Sequence, residues 1–107
     1  MKVFRCAAAV TCLLAFAQAH AAQMVSGRVE SIEKPPSSDV GERIKLVGAS
    51  NICGNSDSAY MNKADQHYAS MLESLQLALK QGYVEELFVY PDKVSGRCLI
   101  QRIGVYQ

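Results

Sequence analysis

The chain has 107 residues, eleven basic and ten acidic, with a formal charge of +1, which suits one compact domain with a single core. That balance, with no basic block or stripe, argues against nucleic acid and anionic membrane surfaces as partners. Half of the residues are apolar, but the only long uncharged apolar run lies at the start.

Residues 1–21, MKVFRCAAAVTCLLAFAQAHA, have the pattern of a cleaved signal peptide. Lys2 and Arg5 precede an uncharged run from Cys6 to Ala17, and Ala19-His20-Ala21 fits the small-x-small cleavage rule. The run is shorter than the ~20 residues a membrane helix needs, so a membrane anchor is the weaker reading, and with no second long apolar segment no membrane span is expected in the mature form. Cleavage after Ala21 or Ala22 leaves one small domain over residues 22–107, delivered to the periplasm or secreted. Loss of Lys2 and Arg5 leaves nine basic against ten acidic residues, a formal charge of −1. It also removes Cys6 and Cys12, so that Cys53 and Cys98 remain. Two cysteines in a small exported domain are expected to form one disulfide. Closing a loop of about 46 residues stabilises a fold by about 4 kcal/mol. A metal site built from both thiolates and His67 lacks a fourth ligand and the close cysteine spacing of structural zinc, so no metal or other cofactor is expected.

In chain order, residues 24–33 read as a first strand. Val25, Gly27 and Val29 share a face and Ile32 falls out of phase, which calls for a bulge or a sharp coil near Gly27 or Ser31. The segment from Lys34 to Gly41, with Pro35 and Pro36, is a loop. ERIKLVG alternates Ile44, Leu46 and Gly48 against Arg43, Lys45 and Val47, the pattern of a second strand paired antiparallel with the first. A polar loop over 50–58 leads to a short third strand at Ala59-Tyr60-Met61. A helix is predicted from Asn62 to Gln81, with Tyr68, Met71, Leu72, Leu75 and Leu79 on one face. Asn62 or Asp65 serves as its N-cap, Lys80 suits its negative end, and Gly82 suits a left-handed stop. YVEELFVYP is a fourth strand ended by Pro91, residues 91–96 are a turn, and RCLIQRIGVYQ is a fifth. Apolar residues on both faces of the fifth strand predict a central strand or one half covered by another subunit.

This order predicts a mainly β protein with one α-helix, an OB-fold-like, five-stranded, partly open barrel with the helix between strands 3 and 4 capping one end. An open antiparallel sheet carrying one helix is the runner-up.

The stretch from Cys53 to Tyr90 resembles the B subunits of AB5 toxins, in the subtilase-cytotoxin and pertussis-like branch, and related small exported OB-fold domains. The residues that carry the likeness are Cys53, then Tyr68, Leu72, Leu75 and Ala78, then Gln81-Gly82-Tyr83-Val84 and Phe88-Val89-Tyr90. The resemblance implies a glycan-binding homo-oligomer, a pentameric ring with helices lining its pore. The chain departs from that branch in its length and in having one disulfide where relatives often have two. No sugar-contacting residue can be matched position by position.

The residues themselves offer little catalysis. His67 and Ser70 sit one helical turn apart with no mark of a strained nucleophile, and a solvated helix surface accounts for them. Glu85-Glu86 resembles a carboxylate pair, but neighbouring strand residues point to opposite faces; one of them facing a neighbour or a barrel mouth is the alternative, and a solvated strand start is the preferred account. The densest polar stretch contains Asn51, Asn55, Ser56, Asp57 and Ser58. Asn55, Ser56 and Asp57 are the candidate ligand loop, although the same residue types are ordinary turn formers. Leu77 falls on the water-facing side of the helix, and with Tyr106 and Ile100 it is a candidate subunit contact. The function expected is therefore that of a non-catalytic binding module, toxin-B-subunit-like, for a glycan. The alternative is a periplasmic protein-binding module, such as an immunity or inhibitor protein. A small hydrolase is disfavoured, because no nucleophile, base and orienting group assemble.

Overall fold

The computed structural model describes residues 22–106, with the backbone alone at Val105 and Tyr106. Strands β1 (Gln23–Glu33), β2 (Arg43–Leu46) and β3 (Ser58–Tyr60) are followed by helix α1 (Tyr68–Gln81) and strands β4 (Val84–Pro91) and β5 (Cys98–Tyr106). The expected signal peptide lies outside the described residues. Among the described residues no helix is long and apolar enough to cross a membrane.

The strands close into a barrel in the order β1-β2-β3-β5-β4, with β4 returning to β1. This is the OB-like arrangement expected, with α1 between β3 and β4, but the barrel is closed where a partly open one was expected. Closure comes from β3 and β5, the one parallel pairing, which meets at Tyr60 and Leu99. Every other neighbouring pair is antiparallel.

β1 belongs to both halves of the wall. Its first half pairs with β4, from Gln23 opposite Val89 to Arg28 opposite Val84, and its second half pairs with β2. Val29 faces Leu46 and Ser31 faces Lys45, so Glu30 is the extra residue of a bulge. The bulge explains the phase break, because Val25, Val29 and Ile32 all pack on the core despite their uneven spacing. β5 carries a second irregularity, where Phe88 faces Arg102 but Val89 faces Ile100.

α1 begins later than the apolar period suggests. Residues 62–67 form turns instead: the Asn62 carboxamide oxygen accepts the Ala64 N–H at 3.0 Å and an Asp65 carboxylate oxygen accepts the His67 N–H at 2.7 Å. Those side chains bond the backbone two residues on and hold it out of the helix, whose N-cap position falls to His67 without a side-chain cap. Met71, Leu75 and Ala78 are buried, with Tyr68 and Leu72 partly buried against the core. Leu79 is 42% exposed, which corrects its place in the core stripe, and Ala78 fills that line instead. Gly82 ends the helix in the left-handed conformation, φ 77°, its N–H bonded to the Ala78 carbonyl.

The core gathers Ile44 and Leu46 from β2, Leu87 and Val89 from β4, Ile100 from β5, and Ile52, Met61 and Leu75. Val40 and Leu99 are buried outside that cluster and line one cleft beneath the β1–β2 loop. The second apolar face of β5 is thus covered at Leu99 by this chain's own loop. Gly41 holds that loop in place. Its N–H donates to the Met61 carbonyl at 2.8 Å, and a Cβ there would lie 2.7 Å from Met61 Cβ. Cys53 and Cys98 form the expected disulfide, Cα atoms 5.9 Å apart, tying the β2–β3 loop to the start of β5.

Candidate functional site

The candidate ligand loop is held from three sides. Ile52 and Ser56 exchange two backbone hydrogen bonds of 2.9 Å, closing a tight turn in which Cys53 and Gly54 take positive φ. Gln23, at the start of β1, clasps it: the side-chain oxygen accepts the Cys53 N–H at 2.7 Å and the amide nitrogen donates to the Asn51 carbonyl at 2.9 Å. The disulfide is the third restraint. Nothing in the sequence separated Gln23 from any other strand-end glutamine.

The three residues of this loop have different roles. Asp57 accepts a 3.1 Å hydrogen bond from Arg43 and lies 3.6 Å from Lys45, and the Arg43 guanidinium holds its carboxyl below the usual range. Arg43 also bonds Glu33 at 3.0 Å and the Ser58 hydroxyl at 2.8 Å, so Asp57 is committed to a surface network on β2. The Ser56 hydroxyl donates to the Ser58 carbonyl at 3.0 Å. Asn55 is exposed at the rim of a cleft of about 320 Å³. Tyr60, Arg97 and the disulfide form its other walls, with the Arg97 guanidinium 5.1 Å from the centre of the Tyr60 ring.

The β4–β5 turn forms one side of this cleft and also borders the cleft of about 350 Å³ lined by Asp39, Tyr90 and Leu99. It is a stiff turn. One Asp92 carboxylate oxygen accepts both the Ser95 N–H at 2.9 Å and the Ser95 hydroxyl at 2.7 Å, and the Gly96 N–H donates to the Asp92 carbonyl. Those bonds hold the Asp92 carboxyl below its ordinary pKa. Val94, at the tip, is 96% exposed.

A third cleft, of about 660 Å³, opens between the first turn of α1 and the β4–β5 wall. His67, Ser70, Met71, Phe88, Gln101 and Arg102 line it. The Arg102 guanidinium stacks on the Phe88 ring, 4.2 Å from its centre, as their cross-strand register requires. The Ser70 hydroxyl donates to the His67 backbone carbonyl at 3.1 Å, and His67 Nδ1 lies 3.5 Å from Asp65, so the two side chains form no serine–imidazole pair.

Glu85 corrects the sequence reading. Instead of opening a solvated strand end beside Glu86, it is fully buried, and among the described residues neither carboxyl oxygen has a hydrogen-bond partner. Burial pushes its pKa up to about 7. Glu85, Leu87 and Val89 alternate on the inner face of β4, so the same period that places the core residues also places this carboxyl inside. Of the candidate subunit contacts, Leu77 is exposed, Ile100 is fully buried in the core and therefore unavailable to a subunit, and the Tyr106 side chain lies outside the described residues. Among the described residues no cluster of three His, Cys, Asp or Glu side chains is placed to hold a metal. Comparison of the chain with protein-family models, with curated proteins and with solved structures found no match.

Proposed function

We propose that this chain is an exported, non-catalytic binding module, toxin-B-subunit-like, that recognises a glycan in the cleft beside Tyr60. The observation that carries the reading is the cleft itself: an aromatic ring bordered by the Asn55 amide and the Arg97 guanidinium, on a loop already fixed by the disulfide and Gln23. With the Arg97 guanidinium over one face of the Tyr60 ring, the rest of the ring is left to meet the C–H groups of a sugar, while the amide and guanidinium reach its hydroxyls. A loop held in one conformation loses little entropy on binding. The position also suits an OB-like barrel, whose loops and second and third strands are its usual ligand surface. The disulfide fits an oxidising compartment outside the cytoplasm.

A glycan array probed with the oxidised protein tests this reading. Saturable hits that weaken in Tyr60→Ala and Asn55→Ala support it, and an array without hits refutes it. Sedimentation tests the toxin-like ring: a pentamer supports it and a strict monomer argues against it. A second reading, a protein-binding module of the inhibitor or immunity kind, is favoured by Val94, which is almost wholly exposed on a stiff turn. Under that reading the array is silent and Val94→Ser abolishes capture of the partner.

A further inference from the structure

We propose that the cleft between α1 and the β4–β5 wall binds a small amphipathic anion, a carboxylate or sulfonate carried on an apolar body. The cleft shares no lining residue with the one beside Tyr60, so the inference stands apart from the glycan reading. Its volume of about 660 Å³ is that of a small-molecule site. Its composition is two-sided. Met71, Phe88 and Ile103 supply apolar wall, and His67, Ser70, Gln101 and Arg102 supply polar groups.

The charge of the polar side sets the ligand's sign. No carboxylate lines the cleft, and its titratable side chains are Arg102 and His67. Within the cleft, the contact that Arg102 makes is with the Phe88 ring. Stacking fixes the plane of the guanidinium and leaves its edge donors to bind an anion in a forked geometry. The register of β4 against β5 dictates this placement, because Phe88 and Arg102 are directly paired on the outer face. Glu86 lies one row away on that face, outside the cleft lining. Asp65 lies outside the cleft lining and is turned to His67, accepting its backbone N–H at 2.7 Å with Nδ1 3.5 Å away. The first turn of α1 carries no acidic residue and no side-chain cap, so it adds no charge that would repel an anion. A neutral apolar ligand would leave the guanidinium donors unanswered, and a cation placed against Arg102 would meet like charge. An anion with an apolar body satisfies both sides of the cleft.

The test is a fluorescence titration of the oxidised protein with 8-anilinonaphthalene-1-sulfonate, with decanoate and decanol as competitors. Saturable one-site binding is expected, displaced by decanoate far better than by decanol and weakened by salt. Arg102→Ala should weaken it by at least about tenfold, with partial recovery in Arg102→Lys. Ser70→Trp, a substitution at an exposed helix position, should fill the cleft and abolish binding, with unchanged circular dichroism showing that the fold is intact. Tyr60→Ala should leave it unchanged, which separates this site from the glycan cleft. The proposal is overturned by absence of saturable binding, by equal affinity in wild type, Arg102→Ala and Ser70→Trp, or by decanol competing as well as decanoate.

Discussion

Glu85→Gln should make the barrel's stability nearly independent of pH across the neutral range. The wild-type carboxyl has a pKa of about 7 in the folded state against 4.5 when solvated, with burial as the cause. Below about pH 4.5 both states hold the proton and Glu85 exacts no charge penalty. Between about 4.5 and 7 the unfolded chain ionises while the folded one stays protonated, so stability falls as pH rises. Above about 7 the full penalty is present. A gap of about 2.5 pH units at about 1.4 kcal/mol each sets an upper bound of about 3 to 4 kcal/mol. Relaxation of the wall around the charge reduces this to roughly 1–3 kcal/mol. The assay is urea denaturation from pH 4.5 to 8.5, followed by far-ultraviolet circular dichroism, since the chain has no tryptophan. Wild type should be most stable at the acid end of that window. A glutamine keeps the unsatisfied polar burial at every pH, so its signature is a flat profile rather than a uniformly higher one. A wild type that gains stability from pH 5 to 8, or a variant with an unchanged slope, would refute the assignment of Glu85 to the interior.

Two further perturbations probe the restraints around the clefts. Reducing the Cys53–Cys98 bond, or replacing both cysteines by serine, should lower stability by about 2–4 kcal/mol, given the 45-residue separation of the pair. The shift is read as the difference in urea midpoint between oxidised and reduced protein, with the slope checked for a change in the denatured state. Gly41→Ala should cost about 1–3 kcal/mol through crowding against Met61 and Tyr68, read from the same midpoint. An alanine variant as stable as wild type would place the β1–β2 loop farther from Met61.

Much of the barrel was legible in the chain because its signals are local. The uneven spacing of Val29 and Ile32 already contained the bulge at Glu30, and the switch of period after Gly82 marked the passage from helix to β4. The start of α1 was not legible, because Asn62 and Asp65 suit a helix cap and a short turn equally well and the turn prevailed. Glu85 was missed for another reason. The two-residue period already puts Glu85 and Glu86 on opposite faces and sets Glu85 in line with Leu87 and Val89, but a carboxylate at a strand start reads as facing water, where such groups ordinarily lie. The candidate loop was found, but not which of its residues stay available: Asp57 is committed to Arg43, a partner fourteen positions away that only the β2–β3 pairing supplies. The clefts belong to the closed barrel, since each joins side chains from segments distant in the chain.

The seam between β3 and β5 has a consequence for how the molecule matures. It is the shortest join in the wall, with one registered pair at Tyr60 and Leu99, and the disulfide begins at the very next residue, Cys98. Non-local contacts of this kind are slow to form, because the loop between them must close before anything is gained. Once formed, the covalent link keeps Cys98 beside Cys53 and the short seam from opening. Refolding from the oxidised chain, with the loop already closed, should therefore be faster than refolding from the reduced chain, as stopped-flow circular dichroism would show.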